Sequence, residues 1–318
     1  MLTVATPPVQ SAAGTAAVFG AEGDLSPMWS LSGHSGPMKS IVCGRCWIAT
    51  SGGCDTLLWS DKSETFRNVE RLTLSAPATD MTLNASESSV LHSFASGRAL
   101  VFDVATAAQV AAVRLGDTVT NAIAAHPTNP DVFAAASDDG KVRLCDLRAF
   151  KPVCRTAAFA DPATAVAFLP NGDVLAAGTD GVLTRSLAAT MKSILQEDVA
   201  QDVVSRILVN DDHLDTVDVV SLDGLAASVD VSPVSVSTSR LSNFREGPSI
   251  PSRQLYQACR TRGALAMPCG DVVQIIGDAG TLAQDTGRHP GTSVTCVAYY
   301  APRSCLVSGA EDGTVTIG

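Results

Sequence analysis

Asp138-Asp139-Gly140-Lys141-Val142-Arg143-Leu144-Cys145-Asp146 reads as a tight turn followed by a strand that ends on an aspartate. A second copy closes the chain, Ser308-Gly309-Ala310-Glu311-Asp312-Gly313-Thr314-Val315-Thr316-Ile317. In each, a small residue and an acid precede Asp-Gly, where the carboxylate accepts backbone N–H groups. Alternating apolar residues follow, the period of a half-buried strand. Recurrence of one supersecondary unit along a chain is the mark of repeat architecture.

Working outward, the residue closing each such strand forms a ladder. Trp59, Phe102 and Cys145 stand 43 and 43 residues apart, Ser186 follows at 41, Phe19 lies 40 before Trp59, and Gly318 ends the chain in phase. A period of about 40–45 residues is that of a four-stranded propeller blade. Strands precede the turns at Val119 to His126, Val132 to Ser137, Ala163 to Leu169 and Val174 to Gly178. Small runs such as Ala134-Ala135-Ala136 and Ala176-Ala177-Gly178 suit strands packed closely between neighbouring sheets. Helical periodicity is weak; its best window, Ala188 to Val204, also scans as an outer strand plus a loop.

From Leu187 to Arg288 the register blurs. Two markers stand there, Val219 to Leu225 and Cys269 to Ile276, with the Ser- and Pro-rich stretch Ser232 to Ser252 between them. That stretch reads as an inserted loop or a decayed outer strand. Counting both markers gives eight third strands; dropping one gives seven. The expected fold is therefore an all-β, seven-bladed propeller, a single domain over 1–318 with a loop insertion near 232–252, eight blades being the alternative. The last unit stops at its third strand, so the ring must close with an N-terminal strand. Pro27 to Ser32 has the character of that strand, and Met1 to Ala5 is the other candidate.

Composition bounds the function. Of 318 residues, 46% are hydrophobic and 17% charged, with a net charge of −10, which disfavours direct nucleic-acid binding. No apolar run reaches the roughly 18 residues of a membrane span, and the first residues lack a basic start, so a cytoplasmic or nuclear protein is expected. Nine cysteines are scattered, and the close pair Cys43-Gly44-Arg45-Cys46 has no second pair to complete a metal site. Free thiols and no cofactor or metal are the expectation.

Chemistry-bearing patterns fare no better. Ser32-Gly33-His34-Ser35-Gly36 lacks the strand-to-helix setting of a serine nucleophile. His92, His126 and His213 are isolated. The acid pairs Asp138-Asp139, Asp211-Asp212 and Glu311-Asp312 sit at or beside turns. No phosphate-cradling glycine loop is present, and no enzyme is expected.

Gly33-His34 with Trp59 25 residues later, Phe102-Asp103, and Ser137, Asp139 and Cys145-Asp146 resemble the Gly-His and Trp-Asp signatures of the WD40 repeat family. In that family a His, a Ser or Thr, an Asp and a Trp of one blade form a hydrogen-bonded chain. By that resemblance blade one supplies His34, Ser51 and Trp59, with Gly53 in place of the acid. The third unit supplies Ser137 and Asp139, with Asp117 at the His position and Cys145 at the Trp position. The last supplies His289, Ser308 and Asp312, with Gly318 for Trp. No unit keeps all four. The motif order is also similar to the WD-repeat-containing protein eighty-nine group, through His126 to Pro130, Asp202-Val203-Val204 with Leu214-Asp215, and Thr292 to Cys296. The resemblance implies a non-catalytic protein-interaction scaffold. Cys145-Asp146-Leu147-Arg148 is similar to the family's Trp-Asp-x-Arg element, which implies Asp146 and Arg148 as partner-binding residues for a cullin-4 ligase adaptor. A further alternative is an acidic chaperone or assembly factor for a basic client such as a ribosomal protein.

Overall fold

The structure, a computed structural model, describes residues 14–18, 29–62, 65–148, 153–210, 215–223, 225–232, 238–243, 257–261, 263–277, 282–285, 289 and 291–317. Seven antiparallel sheets follow one another around a ring; six pair four consecutive strands in chain order, and the seventh joins strands from both ends of the described chain. Blade one is Met38–Cys43, Trp47–Gly52, Asp55–Lys62 and Thr65–Thr73; blade two is Ala78–Leu83, Ser89–Phe94, Arg98–Asp103 and Gln109–Arg114. Blade three is Thr120–Ala125, Val132–Ser137, Lys141–Asp146 and Val153–Ala158; blade four is Ala163–Phe168, Val174–Gly178, Val182–Ser186 and Ser193–Asp198. Blade five is Val204–Val209, Thr216–Ser221, Leu225–Asp230 and Thr238–Asn243; blade six is Cys259–Thr261, Ala264–Cys269, Val272–Gly277 and Leu282–Asp285. The closing blade joins Val294–Tyr300, Cys305–Ala310 and Val315–Ile317 to Trp29–His34 from the other end of the chain.

Trp29 lies opposite Ile317, so the Pro27 to Ser32 window supplies the closing strand; Met1 to Ala5 lies outside the described residues. Both doubtful markers are third strands, Leu225–Asp230 and Val272–Gly277. The rung to drop is the one at Phe19, because the strand before it, Gly14–Val18, is an extra member of the closing sheet. Thr238–Asn243 is an outer strand within the Ser- and Pro-rich stretch, while 233–237 and 244–256 lie outside the described residues. Ser193–Asp198 is likewise an outer strand, so the weak helical pattern there is overridden by sheet pairing.

Strand residues were chosen for burial between sheets. All six residues of Ala163–Phe168 are buried, as are five of six in Val132–Ser137. A sheet covered on both faces requires near-continuous apolar sequence, and alanine lets neighbouring blades approach near the axis.

Six inner strands carry a register break around their second residue. A bulge re-aims the side chain at the break, and four of these side chains reach the next blade. Thr79 Oγ1 donates to Thr120 O at 2.5 Å, Asn121 Nδ2 to Ala163 O at 2.9 Å, Thr164 Oγ1 to Val204 O at 2.7 Å, and Thr295 Oγ1 to Met38 O at 3.0 Å. The ring is thus stitched by polar ties as well as apolar packing. Across it, Arg206 of blade five reaches Asp80 of blade two with two hydrogen bonds of 2.8 and 2.6 Å. Asp80 is 1% exposed and also accepts the Ile123 N–H at 3.1 Å.

At the closure, Arg303 lies over the Trp29 and Phe66 rings at 4.8 and 5.0 Å while pairing with Asp61. Burial raises the Asp61 carboxyl, but Arg303 and Tyr300 outweigh it and hold it below its usual range. An apolar cluster including Met38, Ile41, Leu57, Tyr300, Val315 and Ile317 lies behind this clasp.

Candidate interaction faces

Blade one holds a complete hydrogen-bonded chain, against the expectation that no unit does. His34 Nδ1 meets Asp55 Oδ1 at 2.5 Å, His34 Nε2 meets Thr50 Oγ1 at 2.7 Å, and Trp59 Nε1 donates to Thr50 Oγ1 at 2.8 Å. The acid is Asp55 rather than position 53, and the hydroxyl is Thr50 rather than Ser51. Strand alternation explains the correction: Trp59 lies opposite Ile48, so Thr50 shares its face while Ser51 points the other way. Ser51 is buried and reaches only the Asp55 carbonyl, at 3.5 Å. Burial lowers the His34 pKa, with Asp55 pulling in the opposite direction.

The other units depart further. In blade three Ser137 Oγ meets Thr118 Oγ1 at 3.0 Å and donates to Val119 O at 2.9 Å, so Thr118 takes the position expected for Asp117. Asp117 is instead exposed and paired with Arg114. Asp139 turns to Arg143 of its own hairpin, which holds its carboxyl below the usual range. Cys145 is disulfide-bonded, with Cys154 opposite it in the strand register, an exception to the expected free thiols that Cys43, Cys46, Cys54, Cys259, Cys269, Cys296 and Cys305 bear out. In the closing blade His289 meets Ser308 Oγ and Thr314 Oγ1, each at 2.9 Å, while Asp312 accepts the Thr314 N–H in its own turn. Phe102 is buried against the edge of His92, and Asp103 caps the following turn through Thr106. His126 does the same in its His-Pro turn, accepting the Asn129 N–H at 3.1 Å. His213 and Gly318 lie outside the described residues. These side chains serve as ties within blades, and none is brought to a neighbouring pair of carboxylates.

Because strands alternate in direction, turns after second and fourth strands share one face of the ring, and turns after first and third strands share the other. The first face is acidic. Exposed Asp138, Asp180, Asp223, Asp271, Glu311 and Asp312 stand in its second-to-third turns, and Asp117, Asp161 and Asp202 in its inter-blade links. Exposed bases at this edge are Arg71, Arg98, Arg114 and Lys141, of which Arg71 pairs with Asp55 and Arg114 with Asp117. The opposite face mixes signs, with Arg45, Arg148 and Lys192 exposed. There Asp146 holds Arg148 through Oδ1 to Nε at 2.9 Å and Oδ2 to Nη2 at 2.5 Å, also accepting the Arg148 N–H at 3.0 Å. Among the described residues no group of three His, Cys, Asp or Glu is set to hold a metal, and no helix is long and apolar enough to cross a membrane.

No curated protein matches the chain. The family profile described as WD domain, G-beta repeat matches residues 281–317. Among solved structures, the β-propeller domain of Cps50 (Swd1) from Myceliophteria thermophila matches with a TM-score of 0.72 at 15% identity, covering 87% of this chain and 97% of that one. The likeness is one of fold: the chain is a seven-bladed β-propeller, and its last unit matches a WD40 repeat.

Proposed function

We propose that this chain is a non-catalytic protein-interaction scaffold, cytoplasmic or nuclear, whose acidic face receives a basic segment of a protein partner. The observation that supports it is the sidedness of charge: turn carboxylates gather on one face of a rigid ring, while the other face is mixed. A like-signed surface steers and retains partners of opposite sign. An assembly factor shielding a basic client, such as a ribosomal protein, is the form of this reading that the charge favours. The motif order shared with the eighty-nine group is compatible with it and adds no activity.

The test is to change Asp138, Asp223, Asp271 and Asp312 together to Asn, which keeps the turn caps but removes charge. Binding of purified basic ribosomal proteins should weaken at least tenfold and lose most of its salt dependence. Salt-independent binding that ignores the four changes would overturn the reading.

A second reading concerns the other face. The Arg148 guanidinium is held in a fixed fork by Asp146 and stands exposed, the form in which arginine presents paired donors to a partner. Docking to a cullin-4 ligase adaptor through Arg148 is compatible with a client on the acidic side. Arg148→Ala should abolish adaptor co-purification; unchanged recovery ends this reading.

A further inference from the structure

Blades diverge away from the axis, so the gap between their outer strands must be filled by side chains. Just before the link to the next blade, blade one places Leu72 in this gap and blade two places Val113, both buried against the following blade. The equivalent residue of blade three is Ala157: Phe159 N–H bonds Gly140 O just as Leu74 N–H bonds Cys54 O. Smaller by several methylenes, Ala157 with its neighbours Ala158 and Ala160 leaves a groove of about 340 Å³ against blade four.

The blade-four wall is polar where it is most enclosed. Thr184 and Ser186 are only 6% and 3% exposed, line the groove, and find no hydrogen-bond partner for either hydroxyl among the described residues. Neither oxygen is among the fully enclosed unpaired polar atoms, so both stay accessible in the groove they line and are available to a guest. Met191 supplies an apolar patch beside them. Ile194, one of the few large apolar side chains exposed among the described residues, follows Ser193 at the rim. At the end toward the acidic face stand three exposed carboxylates: Asp180 lines the groove, Asp161 follows Ala160, and Asp198 lies opposite Val182. Exposed Lys141, opposite Ala158, offsets one of them, and exposed Lys192 marks the far end.

We propose that this groove between blades three and four binds an extended basic polypeptide segment of the partner. An aliphatic side chain of the guest rests on the alanines and Met191, its backbone amides pair with the Thr184 and Ser186 hydroxyls, and its Lys or Arg meets the carboxylates of Asp161, Asp180 and Asp198. Hydroxyls at strand spacing match main-chain groups of an extended peptide, the usual logic of strand-like peptide recognition. The inference rests on the reading of the acidic face and names where on its margin the partner enters.

The experiment uses the full chain and a phage-displayed random decapeptide library. Enriched peptides are synthesised and their affinity measured for wild type, Ala157→Leu, Ala160→Leu, and Thr184→Val with Ser186→Ala. Leu at 157 restores the packing residue of blade one, so folding is expected to be kept; Ala160→Leu, at an exposed position, blocks the groove independently. Enriched sequences should pair a basic with an aliphatic residue, and either leucine variant should weaken them at least tenfold. Basic peptides that bind equally to both leucine variants, but lose affinity when Asp138, Asp223, Asp271 and Asp312 are neutralised, would overturn the groove and leave the acidic-face reading standing. Failure to enrich basic peptides at all would overturn both.

Discussion

Two buried histidines show what single residues contribute here. Thr50 holds both Trp59 and His34, so Thr50→Val leaves two buried ring nitrogens unpaired and should cost about 2–3 kcal/mol in urea unfolding. Ser51→Ala, on the opposite side of the same strand, should cost about 1 kcal/mol or less. Equal losses would mean that the hydroxyl has been misassigned. His92 is fully buried between blades; Nε2 meets Thr56 Oγ1 at 2.9 Å and Nδ1 has no partner among the described residues. Burial lowers its pKa from 6.5 to about 3 despite the pull of Asp80. The folded histidine therefore stays neutral at pH values where the unfolded one is protonated. In that window the unfolded state binds more protons, so stability falls as pH drops below 6.5. The loss should reach about 2 kcal/mol by about pH 5, and His92→Gln should flatten the slope by that amount. An unchanged pH profile in the variant would show that His92 does not carry it.

At the scale of elements, the tight turns between second and third strands set the shape of each blade. Gly181 sits at φ 73°, and a Cβ there would lie 2.1 Å from the Ala200 carbonyl oxygen of the link leaving the same blade. Gly291 has a similar φ of 80° but open space around it. Gly291→Ala should thus cost only the left-handed backbone strain, about 1 kcal/mol, and Gly181→Ala about 3 kcal/mol because the link must also move. Thermal unfolding of the pair separates crowding from strain, and equal shifts would refute the distinction. Much of this level was legible from residues alone. Asp180-Gly181 and Asp312-Gly313 mark turns through the chemistry of their own side chains and backbone. The markers at Val219 and Cys269 proved to be real strands, since a period-two apolar pattern survives even where turn residues have drifted. What misled was Gly14–Val18, a strand by the same pattern that pairs with the closing sheet instead of founding a blade.

For the whole molecule, the Asp80–Arg206 pair joins blades that lie 126 residues apart in the chain. Arg206→Met strands a carboxylate that is 1% exposed and should destabilise by about 3–5 kcal/mol. Asp80→Asn in the same chain removes the charge yet can still accept the Ile123 N–H, and should return at least about half of that loss. A double variant no better than Arg206→Met alone would show that the pair does not act as a unit. Ring geometry also sorts the charges: acids scattered through the sequence meet on one face because alternating strand direction delivers every second-to-third turn to the same side.

Strand period, turn chemistry and the need for an N-terminal strand to close the ring were set by local residue patterns, which act over a few positions and need no partner. Which hydroxyl His34 selects, how Arg206 spans to Asp80, and where Ala157 leaves Thr184 and Ser186 facing open space were decided only when distant strands came together. Those contacts depend on the volume and direction of side chains from separate blades, and no periodicity along one strand carries that information.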